Sequence, residues 1–253
     1  MNIKILVAVH KQYWMPDDPV YLPLHVGAEG KPDLGYTKDN TGDNISVKNA
    51  NYCELTGLYW AWKNLDADYI GLVHYRRYFT RKEVRNVKTK KKQILRTEEW
   101  EKLLSEHNVV VSDKRKYYIE TNRSHYNHAH PPIGLDETER IILEQFPEYG
   151  AAFTTVMNRT WAHMFNVFVM RRDLYDAYCQ WMFSVLFELE KRLDISTYDV
   201  FQARVFGFVS EMLLDVWLEK NKISYKEQNV SFMEPQNWFK KGGLFLKRKI
   251  FGK

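Results

Sequence analysis

Four short apolar runs most constrain the fold of this 253-residue chain. The runs at residues 3–9 and 69–73 are apolar at nearly every position, which is typical of strands buried on both faces of a parallel sheet. Runs at 108–112 and 164–170 predict two further strands, and apolar residues recur at helical spacing over 172–194. Strands that alternate with helices predict an α/β fold, with a mixed, mainly parallel sheet flanked by helices.

Composition narrows the class of protein and its compartment. The two cysteines, Cys53 and Cys179, lie in separate predicted helices without metal-ligand spacing, so we expect no disulfide framework and a reducing compartment. The first apolar run is too short for a signal peptide, and no run approaches the roughly 20 apolar residues that span a bilayer. We therefore expect a cytoplasmic protein. Its net charge of +5 suits a phosphate-bearing ligand without requiring nucleic acid.

Polar residues follow the first two of these runs, where each predicted strand ends. His10 and Lys11 come directly after the run at 3–9, and a longer polar group follows the run at 69–73: His74, Tyr75, Arg76 and Arg77. Ligands of open α/β sheets bind beyond the carboxyl ends of the strands, and the arginine fork holds phosphate oxygens in pairs. These residues predict an anion site. The alternative is that the arginines cover a sheet edge or pair with acidic residues.

Between these two strands lies a polar segment followed by a predicted helix. Residues 39–46 read DNTGDNIS, a run of turn-forming residues, and apolar residues then recur at helical spacing over 49–64. Asn49 can cap the start of this helix. We expect Asp43, Asn44 and Asn49 to lie in the wall of a ligand site, because these polar side chains adjoin an apolar helix and a buried strand.

Two polar residues interrupt apolar segments further along. Asn166 lies inside the predicted strand at 164–170, and Glu211 lies among apolar neighbours in a helix predicted over 207–221. Burying a carboxylate is unfavourable unless it is paired, and such residues concentrate at functional sites. Glu211 is therefore a candidate general base. A core salt bridge with an arginine such as Arg204 is the alternative.

Seven segments resemble a bacterial family, the domain of unknown function that is found in capsular and exopolysaccharide gene clusters and grouped with GT-A glycosyltransferases. The resemblance runs from residue 3 to about residue 230 and rests on AVHK (8–11), DNTGDNIS (39–46), CELTGLYWAWKN (53–64), GLVHYRRYF (71–79), FNVFVM (165–170), YCQWMF (178–183) and RVFGFVSE (204–211). It implies a GT-A-like, Rossmann-like domain over residues 1–232. One departure is Met212, which stands where arginine is common in the family.

The resemblance implies a glycosyltransferase that takes a nucleotide-sugar donor. A UDP-sugar is the expected donor, with UDP-galactofuranose as a specific candidate, and the implied acceptor is a lipid-linked capsular or exopolysaccharide intermediate. In this mapping Glu211 is the catalytic base, while Arg76 and Arg77 neutralise the diphosphate leaving group. The implied donor-binding residues are His10, Lys11, Asp43, Asn44, Asn49, His74, Tyr75 and Asn166.

The sequence does not supply the metal-binding motif of many GT-A glycosyltransferases. These enzymes commonly hold a divalent metal with a D-x-D motif directly after a buried strand. Asp66 and Asp68 instead precede the run at 69–73, so we interpret them as turn residues. In the family mapping, His74 and its neighbours stand where the acidic residues would be. We therefore predict no metal ligands, and Mn²⁺ or Mg²⁺ stays open as a cofactor.

Three remaining segments have separate interpretations. The histidine-rich stretch at 125–131 matches no common zinc spacing and predicts an extended loop near the acceptor. The basic run at 81–98 predicts a solvated, mobile insertion, with a phosphate-gripping lid as the alternative. Residues 233–253 interleave basic and bulky apolar side chains, which predicts a C-terminal tail bound to the inner face of the cell membrane.

Two other functions fit parts of the sequence. A non-catalytic sugar-binding or scaffold subunit of polysaccharide synthesis would use the aromatic residues, 15% of the chain, without transferring a sugar. A nucleic-acid-binding protein would use the basic run at 81–98, but no stacking platform accompanies that run. The expected partners are thus the nucleotide sugar, the lipid-linked acceptor and a membrane surface, and no nucleic acid.

Overall fold

The computed structural model describes residues 1–82, 84 and 86–234. Its strands are β1 (Ile3–Val9), β2 (Tyr21–His25), β3 (Thr37–Lys38), β4 (Tyr69–His74), β5 (Arg77–Phe79), β6 (Val109–Ser112), β7 (Arg115–Lys116), β8 (Trp161–Ala162), β9 (Phe168–Arg171), β10 (Lys226–Gln228) and β11 (Val230–Phe232). Its α-helices are α1 (Asn49–Tyr52), α2 (Leu55–Asn64), α3 (Val87–Gln93), α4 (Thr97–Glu106), α5 (Asn122–Ala129), α6 (Ile133–Gln145), α7 (Gly150–Asn158), α8 (Arg172–Arg192) and α9 (Val205–Lys220). The predicted tail at 233–253 lies outside the described residues, apart from Met233 and Glu234.

Nine of these strands form one sheet. Seven of them lie side by side in the order β10, β6, β9, β4, β1, β2 and β3, and β5 pairs with both β4 and β11. β1 runs parallel to β2 and β4, whereas β9 is antiparallel to β4 and β6. β7 and β8 form a separate two-stranded sheet. The structure confirms the predicted α/β fold, with a mixed, mainly parallel sheet between helices.

The central strand β1 is buried on both faces. Leu6 and Ala8 face a core formed with α1, α2 and α6 to α9, while Ile5 and Val7 face a second core that includes Trp100 of α4. This alternation follows from the two-residue period of a strand. Because both faces are covered, no position from Ile5 onward in the strand can be polar without a partner. None of the helices in the described part of the chain is long and apolar enough to cross a membrane.

The structure corrects the helix predicted over 49–64. Asn49–Tyr52 forms α1, but Cys53 adopts φ 53° and ψ −131°, and α2 begins only at Leu55. That conformation lies outside the helical region, so the chain turns sharply between the two helices. Asn49 does not cap a helix start, because its Nδ2 donates to the carbonyl of Cys53 at 2.7 Å and so supports this turn.

Three other segments also differ from their predicted form. The strand predicted at 164–170 is shorter, because Phe165 and Asn166 adopt positive φ in a turn that precedes β9. The histidine-rich stretch forms helix α5 instead of an extended loop. The basic run at 81–98 contains helix α3, whose first turn is capped by the side chain of Asn86. A run of charges thus did not exclude regular structure there.

Candidate active site

The carboxyl ends of β1 and β4 bring two predicted groups of residues together. The strands are parallel neighbours with Ala8 opposite His74, and the backbone N–H of Tyr75 donates to the carbonyl of Ala8 at 3.2 Å. The chain therefore leaves both strands at the same edge of the sheet. Six predicted site residues lie at this edge: His10, Lys11, His74, Tyr75, Arg76 and Arg77.

The ring of Tyr75 is the centre of an edge cluster that consists of His10, Lys11, Tyr13, Tyr75 and Arg76. The rings of His10 and Tyr13 meet it edge-on, with centroids 5.4 and 4.8 Å away. The Lys11 ammonium and the Arg76 guanidinium lie 5.5 and 5.0 Å from the same centroid, and both residues are exposed. Burial and these two charges lower the pKa of His10 and keep its imidazole neutral at neutral pH. The cluster offers exposed positive charge to an anion.

A buried network of Glu54, His74, Asn166 and Ser210 adjoins the edge cluster. Asn166 Nδ2 donates to Glu54 Oε1 at 2.8 Å and to Ser210 Oγ at 3.0 Å. His74 Nε2 lies 2.9 Å from the carbonyl oxygen of Phe165 and 3.8 Å from Glu54 Oε1. Burial lowers the pKa of His74, although Glu54 acts in the opposite direction. Because a carbonyl only accepts, His74 carries its proton on Nε2.

Arg77 lies beside this network between two aromatic rings. Its guanidinium carbon is 4.1 Å from the ring centroid of Phe165 and 4.9 Å from that of Phe232, and its Nε has no hydrogen-bond partner within the described part of the chain. Burial lowers the pKa of Arg77, while the charges of Glu211 and Glu54 raise it. A largely buried guanidinium with an unused donor is suited to bind an anionic oxygen.

Glu211 approaches the same network from α9. Burial and the charge of Glu54 raise the pKa of Glu211 to about 7, while Arg77 and a hydrogen bond from the Phe165 backbone act in the opposite direction. The residue retains partial solvent exposure even though protein atoms surround its carboxyl group. A carboxyl with this pKa is present as both acid and base at neutral pH, which suits general acid–base catalysis.

Strained backbone supports the site from two sides. Cys53, Phe165 and Asn166 adopt φ of 53°, 75° and 53°, a region that residues other than glycine and asparagine rarely occupy. Such conformations persist only where surrounding contacts hold them, and they concentrate at functional sites. Arg204 holds the first turn, since its Nε donates to the thiol of Cys53 at 3.0 Å. Among the described residues no ion pair joins Arg204 to Glu211, and the arginine whose charge lowers the pKa of Glu211 most is Arg77.

The structure does not bring Asp43 and Asn44 to this edge of the sheet. Asp43 accepts a hydrogen bond from the Tyr59 hydroxyl at 3.1 Å, and its backbone pairs with the side chain of Asn64 at the end of α2. Asn44 Nδ2 donates to the carbonyl of Gly42 at 2.9 Å. Both residues shape a loop along α2, whereas the buried network lies at the start of that helix.

Asp39 is the buried centre of the same loop. It is fully buried and accepts from the backbone N–H groups of Gly27 and Ala28 at 2.7 and 3.0 Å. The hydroxyls of Ser46 and Thr56 donate to it at 2.5 and 2.6 Å. The first residue of the DNTGDNIS segment therefore ties the loop after β2 to the start of α2.

The D-x-D residues lie at the opposite end of β4 from the site. The backbone N–H of Asn2 donates to Asp68 Oδ2 at 2.7 Å, and the Asn2 side chain donates to the Asp66 carbonyl at 3.0 Å. These contacts join the starts of β1 and β4. Asp66 and Asp68 consequently do not fit a metal that acts beside His74.

The histidines of α5 are hydrogen-bonded to a neighbouring carboxylate. Nδ1 of His125 and Nδ1 of His128 lie 3.0 and 2.9 Å from the two oxygens of Glu120, while the ring of His130 stacks on Phe208 with centroids 4.0 Å apart. Among the residues that the structure describes, no group of three or more His, Cys, Asp or Glu side chains is arranged to hold a metal ion.

Four residues at the site lie outside the catalytic and donor-binding sets that the sequence predicts: Tyr13, Glu54, Phe165 and Ser210. The sequence marks Glu54 as a candidate site residue, because a carboxylate is unusual among the apolar positions of 52–58. It does not mark the other three, since tyrosine, phenylalanine and serine are common in any core or loop. Their contribution depends on turns that the local sequence does not indicate.

The chain has a GT-A-like glycosyltransferase fold, with a polar site beyond the carboxyl ends of its parallel strands. The profile of the domain of unknown function DUF4422 matches residues 4–222, and the chain belongs to that family. A solved apo structure of the bifunctional glycosyltransferase WbbM is similar, with a TM-score of 0.84 and 28% sequence identity. The match covers 92% of this chain but 45% of that one, so this chain spans less than half of WbbM. No functionally curated protein matches the chain.

Proposed function

We propose that the chain is a glycosyltransferase that moves a sugar from a nucleotide-sugar donor to a hydroxyl group of a saccharide acceptor. One juxtaposition carries this proposal: at the carboxyl edge of a GT-A-like sheet, Glu211, with a pKa of about 7, and the largely buried Arg77 lie close enough for the charge of each to shift the pKa of the other. Sugar transfer needs both groups, a base for the acceptor hydroxyl and positive charge for the departing diphosphate. The similarity to WbbM over most of this chain supports a role in glycosyl transfer.

In the proposed reaction, the acceptor oxygen attacks the anomeric carbon of the donor sugar. Ionised Glu211 takes the proton of the acceptor hydroxyl as the new glycosidic bond forms. The bond between the anomeric carbon and the diphosphate oxygen breaks, and the nucleoside diphosphate leaves with that electron pair. Arg76 and Arg77 neutralise its charge. A direct displacement of this kind inverts the configuration of the anomeric carbon.

The edge cluster is the proposed donor subsite. Lys11 and Arg76 provide exposed positive charge, and His10 and Tyr75 provide rings beside it. The family resemblance favours a UDP-sugar, with UDP-galactofuranose as the specific candidate. His74 and Asn166 act in this scheme by holding Glu54 and the turn at Phe165 in place. Direct donor contacts of Asp43, Asn44 and Asn49 stay predictions, since all three bond within the loop and turns around α2.

The proposed acceptor is a lipid-linked capsular or exopolysaccharide intermediate at the inner face of the cell membrane. Burial raises the pKa of Tyr117, on the segment between β7 and α5, to about 12, and the charge of Glu211 adds to this rise, so Tyr117 lies within electrostatic range of Glu211. The next residues, Tyr118 and Ile119, are 81% and 76% exposed. Exposed apolar side chains on this segment suit an amphipathic acceptor. The part of the predicted tail beyond Glu234, residues 235–253, is the proposed membrane contact.

Calorimetric titration with UDP tests the donor half of the proposal. We expect a measurable binding heat and a rise in melting temperature at millimolar-order UDP, because a ligand that binds only the folded state stabilises it. A protein that shows neither effect would contradict the proposal. Release of free sugar from UDP-sugars without acceptor then distinguishes an enzyme from a non-catalytic sugar-binding subunit.

Substitution of the two arginines tests the leaving-group role. Arg76→Ala and Arg77→Ala should each lower turnover about 100-fold or more, because each removes charge that stabilises the departing diphosphate. Arg140→Ala is the matched control, since that arginine lies on α6 with 63% of its side chain exposed. Turnover is measured with a panel of UDP-sugars and a lipid-linked acceptor. Wild-type turnover in both variants would refute the assignment.

A further inference from the structure

The edge cluster is in contact with a carboxylate of the chain itself, that of Glu234. The carboxylate of Glu234 accepts a hydrogen bond from the Tyr13 hydroxyl at 3.2 Å, and its other oxygen lies 3.4 Å from Nη1 of Arg76. Both partners are members of the edge cluster. Glu234 is 221 residues from Tyr13 in sequence, so only the fold brings these groups together.

Strand pairing places Glu234 at this position. β11 runs antiparallel to β5, with Phe232 opposite Arg77. The pairing continues one residue further, since the backbone N–H of Met233 donates to the carbonyl of Arg76 at 2.8 Å. The Met233 side chain is 2% exposed and packs in the second core. The backbone before Glu234 is therefore anchored beside the edge cluster.

We propose that Glu234 is an internal competitor that occupies the diphosphate position of the donor subsite and must leave before the donor binds. This inference rests on the proposed function, because it identifies a regulation of the same site. A carboxylate and a phosphate group both present anionic oxygens, and a guanidinium and a phenol hydroxyl donate to either. The donor carries more negative charge and gains from Lys11 as well, so it displaces the carboxylate.

The exposure of the Arg76–Glu234 ion pair determines how much UDP affinity should increase when the Glu234 carboxylate is removed. The side chains of Arg76 and Glu234 are 46% and 34% exposed. Exposed ion pairs change equilibria by up to about fivefold, and at low salt the loss of one negative charge adds a further attraction for an anion. We expect Glu234→Gln to bind UDP about 3- to 10-fold more tightly than wild type. The gain should shrink to less than about twofold at roughly 0.5 M salt.

The experiment compares UDP affinity by calorimetry in wild type, Glu234→Gln and Glu144→Gln. Glu144 is the matched control, because its substitution removes the same charge from the exposed face of α6, where Glu144 pairs with Arg192. Its UDP affinity should equal that of wild type. Glu234→Gln should improve UDP binding clearly less in the Arg76→Ala background than in wild type, because the competitor acts through Arg76.

The outcomes separate this inference from the proposed function. If no protein binds UDP, the proposed donor site fails and the competitor fails with it. If wild type and Glu234→Gln bind UDP equally, or the variant binds more weakly, the donor site stands and the competitor is overturned. A gain of undiminished size in the Arg76→Ala background would also overturn it. Equal melting temperatures of wild type and Glu234→Gln confirm that the affinities compare folded proteins.

Discussion

Glu211→Gln should make the protein more stable and less active at the same time. The folded protein holds the proton of Glu211 up to a pKa of about 7, whereas the unfolded chain releases it near the usual 4.5. Ionised Glu211 therefore opposes folding. The free energy by which ionised Glu211 destabilises the folded protein is absent below about pH 4.5, grows as pH rises, and reaches its full value above about pH 7. Glutamine avoids this cost because it is neutral at every pH.

The magnitude follows from the displacement of the pKa. Each pKa unit is worth about 1.4 kcal/mol, so the rise from 4.5 to about 7 corresponds to about 3 kcal/mol. The partial exposure of the side chain reduces this value, and we expect about 2 to 3 kcal/mol of stabilisation near pH 8. In a domain of this size that free energy raises the melting temperature by roughly 4 to 6 °C.

Urea unfolding between about pH 5 and pH 8 measures the effect. The difference between Glu211→Gln and wild type should be small near pH 5 and should increase through about pH 7. Turnover of the variant should fall about 100- to 10,000-fold, because it lacks the proposed base. A stabilisation that does not change with pH, or a variant less stable than wild type near pH 8, would refute the reasoning. Glu219→Gln on the same helix is the control, since Glu219 pairs with Arg159 at the surface.

Two further substitutions test the supports of the site. Asp39→Ala should lower the free energy of unfolding by about 3 to 5 kcal/mol, measured by urea unfolding, because it leaves buried donors unsatisfied. Asp43→Ala should lower it by less than about 1 kcal/mol, and equal losses would contradict the central role of Asp39. Gly71→Ala should lower the melting temperature by roughly 2 to 6 °C, because its Cβ would lie 2.6 Å from Val169 Cγ2 and 2.8 Å from the Phe168 carbonyl. An unchanged melting temperature would show that β9 moves aside.

The position of the site is predictable from the sequence to the extent that the strands are. The runs at 3–9 and 69–73 are long and apolar, and a run of that length buried on both faces has few alternatives to a parallel strand. Once the strands are placed, their carboxyl ends locate His10, Arg76 and Arg77 at one edge. This inference needs only the direction of the chain and the parallel pairing, so it does not depend on the geometry of loops.

The strained turns are not predictable in this way. Helical spacing of apolar residues continues on both sides of Cys53, and the apolar run at 164–170 continues through Asn166. Such patterns report which side chains are buried, but they carry no information on φ. Positive φ at Cys53 and Phe165 is stabilised by tertiary contacts, such as the one between Arg204 and the Cys53 thiol. Those contacts become visible only in the folded structure.

The DNTGDNIS segment shows a second limit. Its composition indicates turns, and every polar residue in it is a plausible ligand contact by chemistry alone. The structure separates Asp39, which is fully buried and accepts from two backbone N–H groups, from Asp43 and Asn44, which are not buried. Sequence cannot rank these residues, because their burial depends on whether the loop folds over α2 or away from it.

The side chains that carry the proposed chemistry also hold the turns that position them. Asn166 donates to Glu54 from one turn to the other at 2.8 Å, and His74 contacts the carbonyl of Phe165 at 2.9 Å. The backbone of Phe165 in turn donates to Glu211. A strained residue of this kind stores on the order of 1 to 3 kcal/mol, which it releases once such contacts are lost. Removal of one polar partner should therefore displace the others, so residues far apart in sequence depend on one another for their positions.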